Sequence, residues 1–130
     1  MGLSIVPFDF VRNEAYILKM GFKEVRSRAI QAIRDGGIQH ESRDEIEEKN
    51  LLVVGDVTSD QVIHLLNSCR GTQYSSSPHH MVPGVDVHVF KPEAKADSTA
   101  EKEFWYIKLY FLDPDIWFIS VHKSKKGVRS

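Results

Sequence analysis

Tyr106, Lys108, His122 and His88 are side chains suited to proton transfer and phosphate binding, and they recur at a strand's spacing of two. Residues 104–111, Phe-Trp-Tyr-Ile-Lys-Leu-Tyr-Phe, turn Trp105, Ile107, Leu109 and Phe111 one way and Tyr106, Lys108 and Tyr110 the other. Residues 116–123 are expected to divide into Trp117, Ile119 and Val121 against Phe118, Ser120 and His122. Residues 86–90 divide into Val87 and Val89 against Asp86, His88 and Phe90. The polar sets together form a Tyr/Lys/His/Ser face, able to hold a general acid, a general base and a cation. Cleavage of a phosphodiester by an RNA 2′-hydroxyl needs those three groups: a base for the hydroxyl, an acid for the leaving 5′-oxygen, and a cation for the phosphorane.

The pairing of the last two strands follows from parity. If both apolar faces lie on one side, odd residues oppose odd residues. A connection of three or five residues around Asp113-Pro114-Asp115 satisfies this. It sets Tyr106 opposite His122, Lys108 opposite Ser120, and Tyr110 opposite Phe118. Opposed Cβ atoms lie about 4.5–5.5 Å apart, within reach of a shared substrate.

The other histidines fit simpler roles as well. His79-His80 lies in a Pro/Gly loop without the Cys or Glu spacing of a zinc site, so an ordinary loop role or an RNA contact by His80 is expected and no metal. His64 falls within a helix and reads either as a surface residue or as a second acid/base. Trp105 and Trp117 are expected in the core, as is Cys69. No glycine-rich phosphate loop, dinucleotide fingerprint or nucleophile elbow is present, so no cofactor is expected.

The elements that must position these groups can be read in turn. Residues 3–10 suggest a short edge strand interrupted by Pro7. Residues 22–35 carry a helical stripe, Phe22, Val25, Ala29, Ile30 and Ile33, closed by Gly36-Gly37. Residues 42–54 open with the capping pattern Ser42-Arg-Asp-Glu45 and predict a second helix, with Leu51-Leu-Val-Val54 as an alternative strand. Residues 58–69 open with Thr58-Ser-Asp-Gln61 and predict a third. Residues 70–84 read as a loop, and 92–102 as a connector.

The chain of 130 residues implies one domain with its own core: a 1–20 extension, a body over 22–123, and a basic tail over 124–130. Hydrophobic content is 42%, and one cysteine forbids an internal disulfide. No secretory leader pattern is visible, so a cytoplasmic location is expected. No apolar run is long enough to span a bilayer. A net charge of −1 argues against wholesale electrostatic binding of nucleic acid, and leaves room for a local basic patch at Lys108, Lys123, Lys125 and Lys126.

Three blocks carry a resemblance to a known family. Ile30-Gln-Ala-Ile-Arg-Asp-Gly-Gly37 ends a first helix. Val53-Val-Gly-Asp-Val-Thr-Ser-Asp-Gln-Val-Ile-His64 leads into a later one. Val87-His-Val-Phe-Lys-Pro92, Trp105-Tyr-Ile-Lys108 and Phe118-Ile-Ser-Val-His-Lys123 form closing strands. In order and spacing they resemble the motility quorum-sensing regulator family (MqsR-type) of bacterial ribonuclease toxins, which has a RelE-like fold.

The resemblance implies an α+β domain, with helices packed on one face of a small antiparallel sheet. It implies a metal-independent endoribonuclease toxin of a type II toxin–antitoxin module, cleaving single-stranded mRNA, with a cognate antitoxin as protein partner and no membrane association. Its strand tyrosine falls at Tyr106, its C-terminal lysine at His122 with Lys123 one place on, and its helix lysine at His64. The region Asp86–His88 stands where the family has a glutamine. The expected catalytic set is therefore Tyr106, His122, His88 and His64, with Lys108, Lys123 and His80 binding substrate. The alternatives are a non-catalytic RelE-like module for protein or structured RNA, and a tRNA-directed toxin.

Overall fold

The computed structural model describes residues 21–96 and 101–124. The strand expected at 3–10 and the basic residues Lys125 and Lys126 lie outside them. Helix α1, Phe22–Arg34, buries Val25, Ala29, Ile30, Ala32 and Ile33, as the helical spacing predicts. Glu24 accepts the Gly21 N–H at 3.1 Å and closes its first turn. Gly36, at φ +82°, supplies the left-handed residue that lets Gly37 donate back to the Ala32 carbonyl.

Strand β1, Ile38–His40, comes next, and then a short helix α2, Ile46–Lys49. Helix α3, Ser59–Ser68, follows, then strand β2, Tyr74–Pro78, and strand β3, Asp86–Phe90. The chain ends in β4, Glu93–Ala94, and the two long strands β5, Glu103–Leu112, and β6, Asp115–Ser124. The sheet order is β1-β6-β5-β3-β2, with β4 paired to the start of β5.

The architecture is α+β, and the sheet is mixed rather than antiparallel. β1 runs parallel to β6, pairing Ile38 with Ile116 and His40 with Phe118. A three-residue strand containing Gln39 and His40 carries no periodic signal, so only tertiary pairing reveals it.

Helices α1 and α3 cover one face. Their Val25, Ala29, Ile30, Ile33, Val62, Leu65 and Leu66 pack on Phe90, Trp105, Ile107, Leu109, Phe111, Ile116, Phe118 and Val121. A second, smaller cluster of Val87, Tyr110 and Ile119, with Val85 and Trp117 against it, lies apart from that core. The expected cap of α3 is present: the Gln61 N–H donates to Thr58 Oγ1 at 3.1 Å, and the Thr58 N–H to Gln61 Oε1 at 2.8 Å.

Three expectations are corrected. The helix predicted over 42–54 shrinks to four residues, because Glu45 adopts φ 58°, which stops any helix from running through Ser42–Glu45. Beyond it, Asn50 is buried and bridges Val121, and the Leu51 N–H donates to the Val121 carbonyl at 2.7 Å. The sheet thus takes the backbone that a longer helix would need. Second, the loop predicted over 70–84 contains β2, whose three serines lie along the sheet edge and show no apolar alternation.

Third, the turn between β5 and β6 is shorter than parity demanded. Leu112 pairs with Asp115, so only Asp113 and Pro114 connect the strands. Odd residues then face even ones: Phe111 opposes Ile116, and Tyr110 opposes Trp117 rather than Phe118. A β-bulge restores parity. Leu109 pairs with Phe118, Lys108 pairs with Ser120, and Ile119 has no partner in the ladder. Phe118 is thereby fully buried in the main core, and Trp117 stacks outside it on Tyr110 at 6.0 Å.

Candidate functional site

The bulge brings Tyr106 and His122 face to face. They are directly paired, with ring centroids 5.2 Å apart and planes 26° apart. Next along the same face are Lys108 and Ser120, also directly paired. Lys108 is half-buried and makes no ion pair or hydrogen bond among the described residues. Val89, facing Lys108 from β3, continues this surface.

The tautomer of His122 follows from its neighbours. Nδ1 lies 2.9 Å from the Lys123 carbonyl, which can only accept. Nδ1 therefore carries the hydrogen in the neutral ring, and Nε2 keeps its lone pair for a substrate proton. Burial raises the Tyr106 phenol above its ordinary range, and the nearby positive charge of Arg43 partly offsets this. The phenol is protonated at neutral pH and suits an acid or a hydrogen-bond donor. Lys91 adds a further cation, its Nζ 6.0 Å from the centre of the Tyr106 ring.

The other expected residues are not brought to this pair. His88 opposes Leu109, and Phe90 opposes Ile107, so both belong to the helix-covered face. His88 is buried there, bonded through Nδ1 to the Tyr74 hydroxyl at 2.8 Å and packed against Phe111. Burial pushes its pKa down and that of Tyr74 up, so a neutral ring meets a neutral phenol there. His64 is exposed on α3, a helix whose buried side packs on the opposite face of the sheet. Lys123 opposes Trp105 and pairs with Glu103 at 3.1 Å, which again places it on the helix side. His80 is exposed in the loop between β2 and β3.

His79, its neighbour, has a role that sequence alone does not reveal. Its Nδ1 accepts the Met81 and Val82 N–H groups at 2.9 and 3.1 Å. Its Nε2 faces Glu41 Oε2 at 3.5 Å, and its ring makes a T-shaped contact with Tyr110, 4.6 Å between ring centroids. Tyr110 donates to the same Glu41 oxygen at 2.9 Å, and its pKa is pushed up to about 12 by burial and by that carboxylate. This network pins the 79–85 loop over the outer cluster.

No family model, curated protein or solved structure matches this chain. Tyr106, His122 and Lys108 form one constellation, with an imidazole nitrogen that has no partner among the described residues, a protonated phenol and a cation. No cluster of three or more His, Cys, Asp or Glu side chains fit for a metal occurs among the described residues. No described helix is long and apolar enough to cross a membrane.

Sequence reasoning missed Arg43. It sits in what reads as a helix cap, yet its Nη1 donates to Ser120 Oγ at 2.5 Å and lies 3.4 Å from the Ile119 carbonyl. Its only sequence signal was position, three residues after a strand too short to recognise.

Proposed function

We propose that the chain is a metal-independent endoribonuclease toxin with a RelE-like fold, acting on single-stranded mRNA and held in check by a cognate antitoxin. The observation that carries this reading is the stacked Tyr106–His122 pair with Lys108 on the next rung of the same face. In the proposed reaction His122 Nε2 takes the proton of a 2′-hydroxyl. The 2′-oxygen attacks phosphorus, and the bond to the 5′-oxygen breaks as that oxygen receives the Tyr106 proton. The products are a 2′,3′-cyclic phosphate and a 5′-hydroxyl. Proton return from the imidazolium to solvent, and from solvent to the phenolate, resets the pair. Lys108 offsets the charge that builds on the phosphorane.

The blocks around Ile30–Gly37, Val53–His64 and Val87–Lys123 support the same family reading through their resemblance to ribonuclease toxins. The test is incubation of purified protein with a long single-stranded RNA, with and without chelator, beside induced expression in bacteria. Chelator-insensitive cleavage with growth arrest is expected. RNA binding without cleavage would assign this face to a binding module instead. Neither cleavage nor arrest would overturn the proposal.

A further inference from the structure

We infer that Arg43 is a phosphate ligand of the Tyr106–His122 site, delivered to it by the β-bulge at Ile119. The consequence for catalysis rests on the ribonuclease reading above, whereas phosphate binding can be measured without any cleavage.

An extra residue in one strand leaves its own backbone groups outside the ladder, and a buried carbonyl needs a donor. Arg43 Nη1 lies 3.4 Å from the Ile119 carbonyl and donates to Ser120 Oγ at 2.5 Å. Ser120 is itself buried, at 2% exposure. The guanidinium is therefore seated on the floor of this face at the rung occupied by Lys108 and Ser120. Residues two apart on a strand are about 7 Å apart, so His122 is the next side chain along.

This seating uses one nitrogen of the fork. Arg carries five N–H donors in a plane, and Nη2 and Nε have no hydrogen-bond partner among the described residues. Those donors suit two oxygens of a phosphodiester, a geometry that Lys cannot supply. Lys108 lies directly across from Ser120 and makes a second cation at the same rung. The charge of Arg43 is also felt at the Tyr106 phenol, where it acts against the effect of burial. A phosphate held between Arg43 and Lys108 would lie beside the acid and base of the stacked pair. The chain's net charge of −1 does not oppose this, because the cations are gathered locally.

The test uses the full chain and a mixed-sequence, single-stranded RNA decamer made uncleavable by 2′-O-methylation. Affinity is measured across a salt series for wild type, R43A, R43K and S120A, with far-UV circular dichroism and thermal midpoint recorded for each. R43A is expected to weaken binding about 10- to 100-fold, the loss of a charge-assisted contact. The slope of log affinity against log salt should fall by about 0.7, the share of one phosphate on a single strand. R43K should keep the slope and recover only part of the affinity. S120A should keep the slope, because the cation remains. A purely structural role for Arg43 would lower the thermal midpoint and leave the salt slope unchanged, and that result overturns the inference. If wild type cuts RNA but R43A keeps the wild-type slope, Arg43 fails while the ribonuclease reading stands. If wild type binds with the expected Arg43 dependence yet never cuts RNA, the ligand assignment stands and the enzyme reading falls. If wild type neither binds nor cuts, both fall.

Discussion

Tyr106 and His122 stack across the two longest strands of the sheet, 5.2 Å between ring centres, although the turn joining those strands would by itself keep them apart. With Leu112 paired to Asp115, an unbroken ladder would oppose Tyr106 to Val121 and send His122 to the helix side. The extra residue at Ile119 reverses that. The cost is a ladder position without a partner, and its carbonyl is met by Arg43. The turn is held from the other side by an ion pair between Arg28 of α1 and Asp113, and Arg28 also lies over the Phe111 ring at 4.3 Å. The site thus depends on a register that two separate anchors maintain.

Tyr106→Phe and His122→Ala are each expected to lower RNA cleavage about 10²–10⁴-fold, the usual contribution of one acid or base. Neither side chain belongs to the main core, so thermal midpoints should change little. Cleavage rates of both variants at saturating RNA, read beside wild type, decide the matter. Undiminished cutting by both would move the chemistry elsewhere on the molecule.

The pairs Tyr106–His122 and Lys108–Ser120 were legible because side-chain alternation is rigid and long strands declare it. The path to them was not. A two-residue turn and a bulge give the same pairing as a longer turn without one, and parity cannot separate the two. The difference shows at Phe118, a large apolar residue that alternation alone puts on the polar face and that the fold buries fully. Strand β3 misleads in another way. Its alternation holds, but the pair Val87 and Val89 is not the inward set, since Phe90 is the residue in the main core. His88 travels with Phe90, and so it leaves the site. Helices α1 and α3 were legible from spacing and caps, since both signals are local. The 42–54 segment was not, because Asn50 and Arg43 answer to the sheet rather than to their sequence neighbours, and Glu45 takes a left-handed backbone.

Acid should destabilise the fold through His88 and His40. Burial lowers both pKa values below their ordinary value. His40 Nδ1 accepts from Asn50 Nδ2 at 3.0 Å and must be neutral to do so, and His88 is bonded through Nδ1 to the Tyr74 hydroxyl in a buried site that disfavours its charge. The unfolded chain then binds more protons than the folded one between the folded pKa and about 6.5. Stability is complete above that window and declines as pH falls through it. His88→Gln, compared with wild type by urea unfolding at pH 7.5 and pH 5, should show a smaller loss on acidification. An equal loss in both proteins would mean that His88 titrates normally in the fold.

Tyr110 offers a spectroscopic check on the outer cluster. Its pKa of about 12 comes first from burial and then from the Glu41 carboxylate that accepts its hydroxyl at 2.9 Å. Glu41→Gln removes the charge and keeps an acceptor. Ultraviolet titration should then show the Tyr110 transition moving down, while remaining above the ordinary tyrosine value of about 10 because burial persists. The same change loosens His79 from its carboxylate neighbour, so amide exchange at Met81 and Val82 should speed up. An unmoved phenol would show that the carboxylate contributes nothing there.

Asn50→Ala should cost about 1–3 kcal/mol, the penalty for stranding buried polar partners. Asn50 is fully buried. Its Oδ1 accepts the Val53 N–H at 3.1 Å, which fixes the amide so that Nδ2 donates to His40. Truncation removes the side-chain partners of both groups at once. Chemical denaturation at neutral pH measures the loss, and a cost near zero would mean that water replaces the amide there.

Deletion of Ile119 separates the register of the site from its cation. Leu109 pairs with Phe118 and Lys108 with Ser120, so removing the residue between them leaves a regular ladder with Tyr106 still opposite His122. Two things disappear: the carbonyl that Arg43 meets, and a side chain of the outer cluster with 9% exposure. Burial of an Ile side chain is worth about 1.5–3 kcal/mol, so the deleted protein should fold with a reduced thermal midpoint. Nuclear Overhauser effects between the Tyr106 and His122 rings should persist. RNA binding should weaken, because Arg43 keeps only its Ser120 anchor. The reverse pattern, with the two rings apart and Tyr106 beside Val121, would show that the bulge does not set this register.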